Sequence, residues 1–153
     1  MATARKSQSS STSDLPAPPA LGISPEKACF VIIKAHEFHA KVEVVEPNPG
    51  SNPSDEGFRE VLEDYADDPT HAELRSFIDD LNRDEAVRLV ALMWLGRGDY
   101  ELSDWPAAVA EADRNREKNA ANYPIGTPQL ADYLEDGLAA FGESCAEYEL
   151  GRL

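Results

Sequence analysis

Residues 89–109 read LVALMWLGRGDYELSDWPAAV, and residues 123–142 read YPIGTPQLADYLEDGLAAFG. The first stretch completes a run, AVRLVALMWL over 86–95, that is apolar on nearly every face, with Arg88 as its only charge. A helix apolar all round belongs at the centre of a bundle. Gly96 and Gly98 are read as its stop, because glycine readily takes the left-handed cap conformation. Ser103 then offers a cap for a new helix, with Asp104 near its positive end. In that helix Trp105, Ala108, Val109 and Ala112 face inward, and Arg114, Arg116, Glu117 and Lys118 face solvent. After a linker at 123–126, Thr127 and Pro128 are read as the start of the last major helix. Its buried stripe is Leu130, Tyr133, Leu134, Leu138 and Phe141.

The same grammar extends upstream. Asn82 with Glu85, and Thr70 with Glu73, have capping-box spacing, in which each side chain satisfies an orphan amide. Leu74, Phe77, Ile78 and Leu81 make the stripe of the helix that Thr70 would open, and Asp84 and Glu85 are possible partners for Arg88. A short helix over 55–65, capped by Ser54, would bury Phe58, Val61, Leu62 and Tyr65, with Asp67, Asp68 and Pro69 breaking it. The Pro- and Gly-rich segment 46–53 reads as a loop. Further upstream, Ser24 as N-cap and Pro25 at the first position predict a helix over 25–44 with Val31, Ala35, Phe38, Val42 and Val45 at helical spacing. No alternating run or hairpin dipeptide suggests a strand. The expected fold is all-α, a compact helical bundle of about five to six helices with a disordered N-terminal leader. The leader occupies 1–23, the helical domain 24–143, and a tail or helix extension 144–153.

Apolar residues at 42% and charged residues at 28% are a globular composition for one domain of 153 residues. Twenty-nine acids against 14 Lys and Arg leave a formal charge of -15, spread along the chain after Ser24. Such a surface repels phosphate, so neither nucleic acid nor an anionic membrane is an expected partner, whereas a basic protein is steered toward it. The start of the chain has no apolar central region of a secretory signal, and no uncharged apolar run reaches the ~20 residues of a membrane helix. Cys29 and Cys145 lack the spacing of a redox pair or metal knuckle, and reduced thiols in a cytoplasmic protein are expected.

The sequence offers four kinds of candidate site. His36 and His39 at i and i+3, with Glu43 at the same phase, are weak candidates for a metal; the zinc-peptidase pattern needs its second His at i+4, one residue further. A calcium hand centred on Gly98 fails, because Met93, Leu95 and Arg97 would occupy the first ligand positions and supply no side-chain oxygen. No nucleophile elbow or phosphate loop occurs, no cofactor is expected, and choosing any pair among so many acids for proton transfer is arbitrary. The fourth kind is an interaction surface. Trp94, Trp105, Tyr100 and Tyr123 gather around two loops with Arg97 and Asp99, and aromatics with Arg are common binding anchors. The competing reading has both tryptophans filling the core and Arg97 pairing with Asp99.

Trp94-Leu95-Gly96-Arg97-Gly98-Asp99, the later Asp104-Trp105, and Gly126-Thr127-Pro128 followed by Leu130, Asp132, Tyr133, Leu134, Glu135 and Gly137 resemble a bacterial family, the domain of unknown function 3775 (DUF3775). The resemblance runs from about Lys27 to Gly142, taking in Lys34-Ala35, Glu37-Phe38 and the turn from Glu63-Asp64 to Pro69. It implies a small bacterial helical protein and brings no activity, ligand or catalytic residue. The expected function is therefore a non-enzymatic protein-binding module, with Arg97, Asp99, Tyr100 and Tyr123 as interaction residues. Two alternatives remain: a metal-dependent or small-molecule enzyme using His36, His39 and nearby acids, and a nucleic-acid mimic.

Overall fold

A computed structural model describes residues 19–45, 68–117 and 121–146, with side chains at 42–45 excepted. Among the described residues the protein is all-α, as the periodicity predicts, and carries no strand. The helices are α1 (Pro25–Val45), α2 (Pro69–Asp79), α3 (Arg83–Arg97), α4 (Trp105–Arg114), α5 (Asn122–Ile125) and α6 (Leu130–Ala140), with a 3-10 turn at Leu102–Asp104. Residues 1–18 of the leader expected at 1–23, the loop at 46–53, the short helix at 55–65 and the end of the tail lie outside the described residues, whereas the leader's last residues are ordered against the bundle, with Ile23 buried and Ala20 O accepting from Trp105.

Local chemistry explains where these helices begin. Ser24 caps α1 as expected, its hydroxyl oxygen accepting from Lys27 N–H at 3.3 Å. The capping box of α3 is present in both directions, with Asn82 accepting from Glu85 N–H and Glu85 accepting from Asn82 N–H. Glu85 also pairs with Lys27 of α1 at 2.6 Å. Lys27, then the Asn82 amide, hold its carboxyl below the ordinary glutamate value. Arg88 takes Asp84, not Glu85, as its i,i+4 partner.

Three expected starts move. The N-cap of α2 is Asp68, one residue before Pro69, and not Thr70. A residue preceding proline is pushed to extended backbone, and Asp68 has φ -66 and ψ 132, so its carboxylate accepts from Thr70 and His71 N–H. The Thr70 hydroxyl accepts instead from Lys41 at 2.9 Å. Ser103 lies within the 3-10 turn, and α4 opens at Trp105. The segment read as a linker contains α5, and the Thr127 hydroxyl closes its end by donating to Tyr123 O at 2.8 Å; α6 then starts at Leu130.

At the centre, α3 packs against α6 on one side and α4 on the other, while α1 lies against α6 and α2. Val87, Leu89, Val90, Ala91, Leu92, Met93, Trp94 and Leu95 are all buried, which is why that helix is apolar all round. Val31, Ala35 and Phe38 of α1 and Leu130, Leu134 and Leu138 of α6 supply facing surfaces. Each fully buried Leu or Phe contributes roughly 1.5–3 kcal/mol of apolar transfer.

The two glycines first read as one stop signal divide their roles. Gly98 is the cap, with φ 98 and its N–H bonded to Trp94 O and Leu95 O. Gly96 lies inside α3. A Cβ added there would collide with the Tyr133 carbonyl oxygen of α6, and one added at Gly137 of α6 would sit 2.5 Å from Leu92 O. Both glycines are needed for α3 and α6 to meet backbone to backbone.

The expectation of two reduced thiols is overturned. Cys29 of α1 and Cys145, beyond α6, form a disulfide with Cα atoms 5.6 Å apart, and no free cysteine remains. They are 116 residues apart in sequence. Close spacing identifies metal knuckles and redox pairs, whereas a structural crosslink needs only nearness in the fold.

Candidate functional site

The C-terminal end of α3, the following turn, α4 and α5 border an open hollow of about 480 Å³ lined by Trp94, Arg97, Asp99, Tyr100, Glu111, Asn115 and Tyr123. All four interaction residues read from the sequence, Arg97, Asp99, Tyr100 and Tyr123, share this one cavity. Trp105 does not. It is buried against Phe141, edge-on at 4.9 Å, and its indole N–H donates to Ala20 O.

Each wall is held by a specific contact. Trp94 is 9% exposed, stacks on Tyr100 at 6.0 Å between ring centres, and donates from Nε1 to the Tyr123 hydroxyl at 2.9 Å. The left-handed turn at Gly98 brings Asp99 back beneath Arg97, so one carboxylate oxygen accepts from Nε at 2.9 Å and Nη2 at 2.6 Å. Burial works against the Arg97 charge, but Asp99 and then Tyr123 outweigh it and raise its pKa above the ordinary arginine value. On α4, Glu111 receives bonds from Arg114 and from the Asn115 amide, which lower its pKa in that order. Glu111 and Asn115 escaped the sequence reading. Their i,i+4 spacing puts them on one face at the C-terminal end of α4, but only the tertiary packing shows that this face meets Trp94 and Tyr123.

A second, smaller cavity of about 250 Å³ is lined mainly by aliphatic side chains such as Ile78, Val87, Leu89 and Val90.

The metal candidates are rearranged. His36 is exposed on α1, and its Nε2 lies 3.4 Å from Glu135 Oε1 of α6. Asp132 completes a group in which one donor atom from each residue lies within 4.8 Å of the others. His39 does not belong to that group, and the Glu43 side chain lies outside the described residues.

Comparison with known proteins places part of this architecture. The model of the family described as "Protein of unknown function (DUF3775)" matches residues 71–143. Over this segment, somewhat less than half of the chain, the protein is similar to DUF3775. The DUF3775 match begins within α2 and ends just past α6, so it includes the whole cavity, the Gly96 and Gly137 crossing, Asp132 and Glu135. It does not include α1 with His36 and Cys29, nor the Lys34-Ala35 and Glu63-Asp64 words of the expected resemblance. No curated protein and no solved structure matches the chain. Among the described residues, no helix is long and apolar enough to cross a membrane.

Proposed function

We propose that the protein is a binding module whose recognition site is the Trp94–Tyr100–Tyr123 cavity, and that it receives a basic side chain of a protein partner. The observation that carries this reading is the convergence of three aromatic residues with Asp99 and Glu111 in one space of about 480 Å³. That volume lies within the ~300–1,000 Å³ of small-ligand sites. A cation over an aromatic face gains about 0.5–2 kcal/mol, and the chain's charge of -15 draws basic partners toward it. Arg97 and Asp99 satisfy each other, and Glu111 is paired with Arg114 and Asn115, so the aromatic faces are what the hollow chiefly offers a cation.

Binding fits this cavity better than proton transfer. The two groups in it with displaced titrations, Arg97 upward and Glu111 downward, are both held more firmly in their charged forms. General acid–base work at neutral pH needs the opposite displacement.

Fluorescence titration of the full chain with short peptides tests the proposal. Gly-Arg-Gly and Gly-Lys-Gly peptides should give a saturable, salt-sensitive change in Trp94 emission that Gly-Glu-Gly does not give. Tyr100→Ala should abolish it, and Trp94→Phe should remove the signal while circular dichroism stays helical. A flat titration with both basic peptides would discard the reading.

A further inference from the structure

We infer that His36, Asp132 and Glu135 form a divalent-metal site across the seam between α1 and α6, suited to a borderline ion such as zinc. Three features carry this beyond the cavity just described. First, the donors come from two helices whose relative position is fixed by the core: His36 follows buried Ala35, and Asp132 and Glu135 flank buried Leu134. Second, the spacing is compatible with chelation. Asp132 and Glu135 are i,i+3 neighbours on one face of α6, and one donor from each of the three residues lies within 4.8 Å of the others. Zinc bonds of about 2.0–2.2 Å in a tetrahedral shell put ligand atoms about 3.4 Å apart. His36 Nε2 and Glu135 Oε1 already stand 3.4 Å apart, and Asp132, being exposed, is free to rotate inward.

Third, the donor chemistry discriminates between ions. Two carboxylates on a strongly acidic surface would attract any divalent cation, including magnesium and calcium. An imidazole nitrogen from a separate helix favours zinc and its neighbours over those hard ions. Three protein ligands leave coordination positions open to water or to an exogenous ligand. His39, one turn along α1 from His36, is not a member of the group and serves as the natural control.

The test uses the full chain, freed of metal by chelator dialysis, with zinc alone competed against a chromophoric chelator. The expected result is one zinc per chain in the micromolar range, unaffected by millimolar magnesium. Binding should weaken at least tenfold in His36→Ala and in Glu135→Gln and stay unchanged in His39→Ala. All three positions are partly or fully exposed, so the variants should retain wild-type circular dichroism. Zinc uptake that is non-stoichiometric, displaced by magnesium, or indifferent to His36→Ala would overturn the site and leave an ordinary His36–Glu135 ion pair. Peptide binding at the Trp94 cavity does not depend on this outcome.

Discussion

On the side of α3 that meets α6, Gly96 and Gly137 bring two helix backbones into direct contact, and the Cys29–Cys145 disulfide ties α1 to the segment that follows α6. On the side that meets α4 and α5, the same helix ends in Trp94, Arg97 and Asp99 around a cavity of about 480 Å³. One short signature, Trp94 to Asp99, serves both sides. Its first glycine is there for packing, its second for turning the chain, and its aromatic and charged residues wall the cavity. A recognisable sequence word therefore need not mark one site. Here the closed side provides rigidity and the open side provides a surface.

A side chain placed at the crossing should have the largest effect. Gly96→Val should cost about 4 kcal/mol or more, because the obstructing atom is a backbone carbonyl of Tyr133 that cannot rotate away. Gly98→Ala meets no atom within 4 Å and suffers only its positive φ, so it should cost about 1 kcal/mol. Urea denaturation of both variants measures the gap. Equal losses would mean that the two glycines share one role as helix stops.

Breaking the staple comes next. The Cys29→Ala/Cys145→Ala double variant should lose about 2–4 kcal/mol. Addition of reductant should lower the wild-type unfolding midpoint and leave that of the double variant unmoved. A wild-type midpoint indifferent to reductant would mean that the crosslink does not form.

How much of this was legible beforehand depends on the range of the interaction. The capping box at Asn82 and the all-apolar α3 are local, and both are present as read. Cap choice failed where two candidates stood close together: Asp68 displaced Thr70 because Pro69 restricts the residue before it, and Thr127 turned its hydroxyl back to Tyr123. Five of the seven cavity residues, Trp94 among them, were legible because they cluster in or near the loops. Glu111 and Asn115 were not, since no local pattern encodes how α4 lies on α3. His36 was visible as a donor, but its partner Glu135 is 99 residues away. The disulfide was misread for the same reason.

The open side is expected to be more forgiving. Tyr123→Phe deletes the oxygen that accepts from Trp94 Nε1, and should cost about 0.5–1.5 kcal/mol if water in the cavity replaces the bond. A loss nearer 3 kcal/mol would show that the cavity is dry and packed, which would remove its claim to be a surface.

The smallest effect concerns acid, and it should fall where α2 meets α1. His71 is buried at the start of α2 against Phe38, and its Nδ1 has no hydrogen-bond partner. Burial, then the nearby Arg75 charge, lower its pKa from the ordinary 6.5, and Asp68 only partly opposes them. The sign follows from proton binding. As pH falls below about 6.5 the unfolded chain takes up the proton first, so stability that is full above that pH declines through the interval down to the lowered folded value. Unfolding free energies measured from pH 7.5 to 5 should therefore fall more steeply for the wild type than for His71→Gln, because only the wild type carries the histidine. Parallel pH profiles would place the acid sensitivity elsewhere, and a steeper decline in the variant would reverse the assignment.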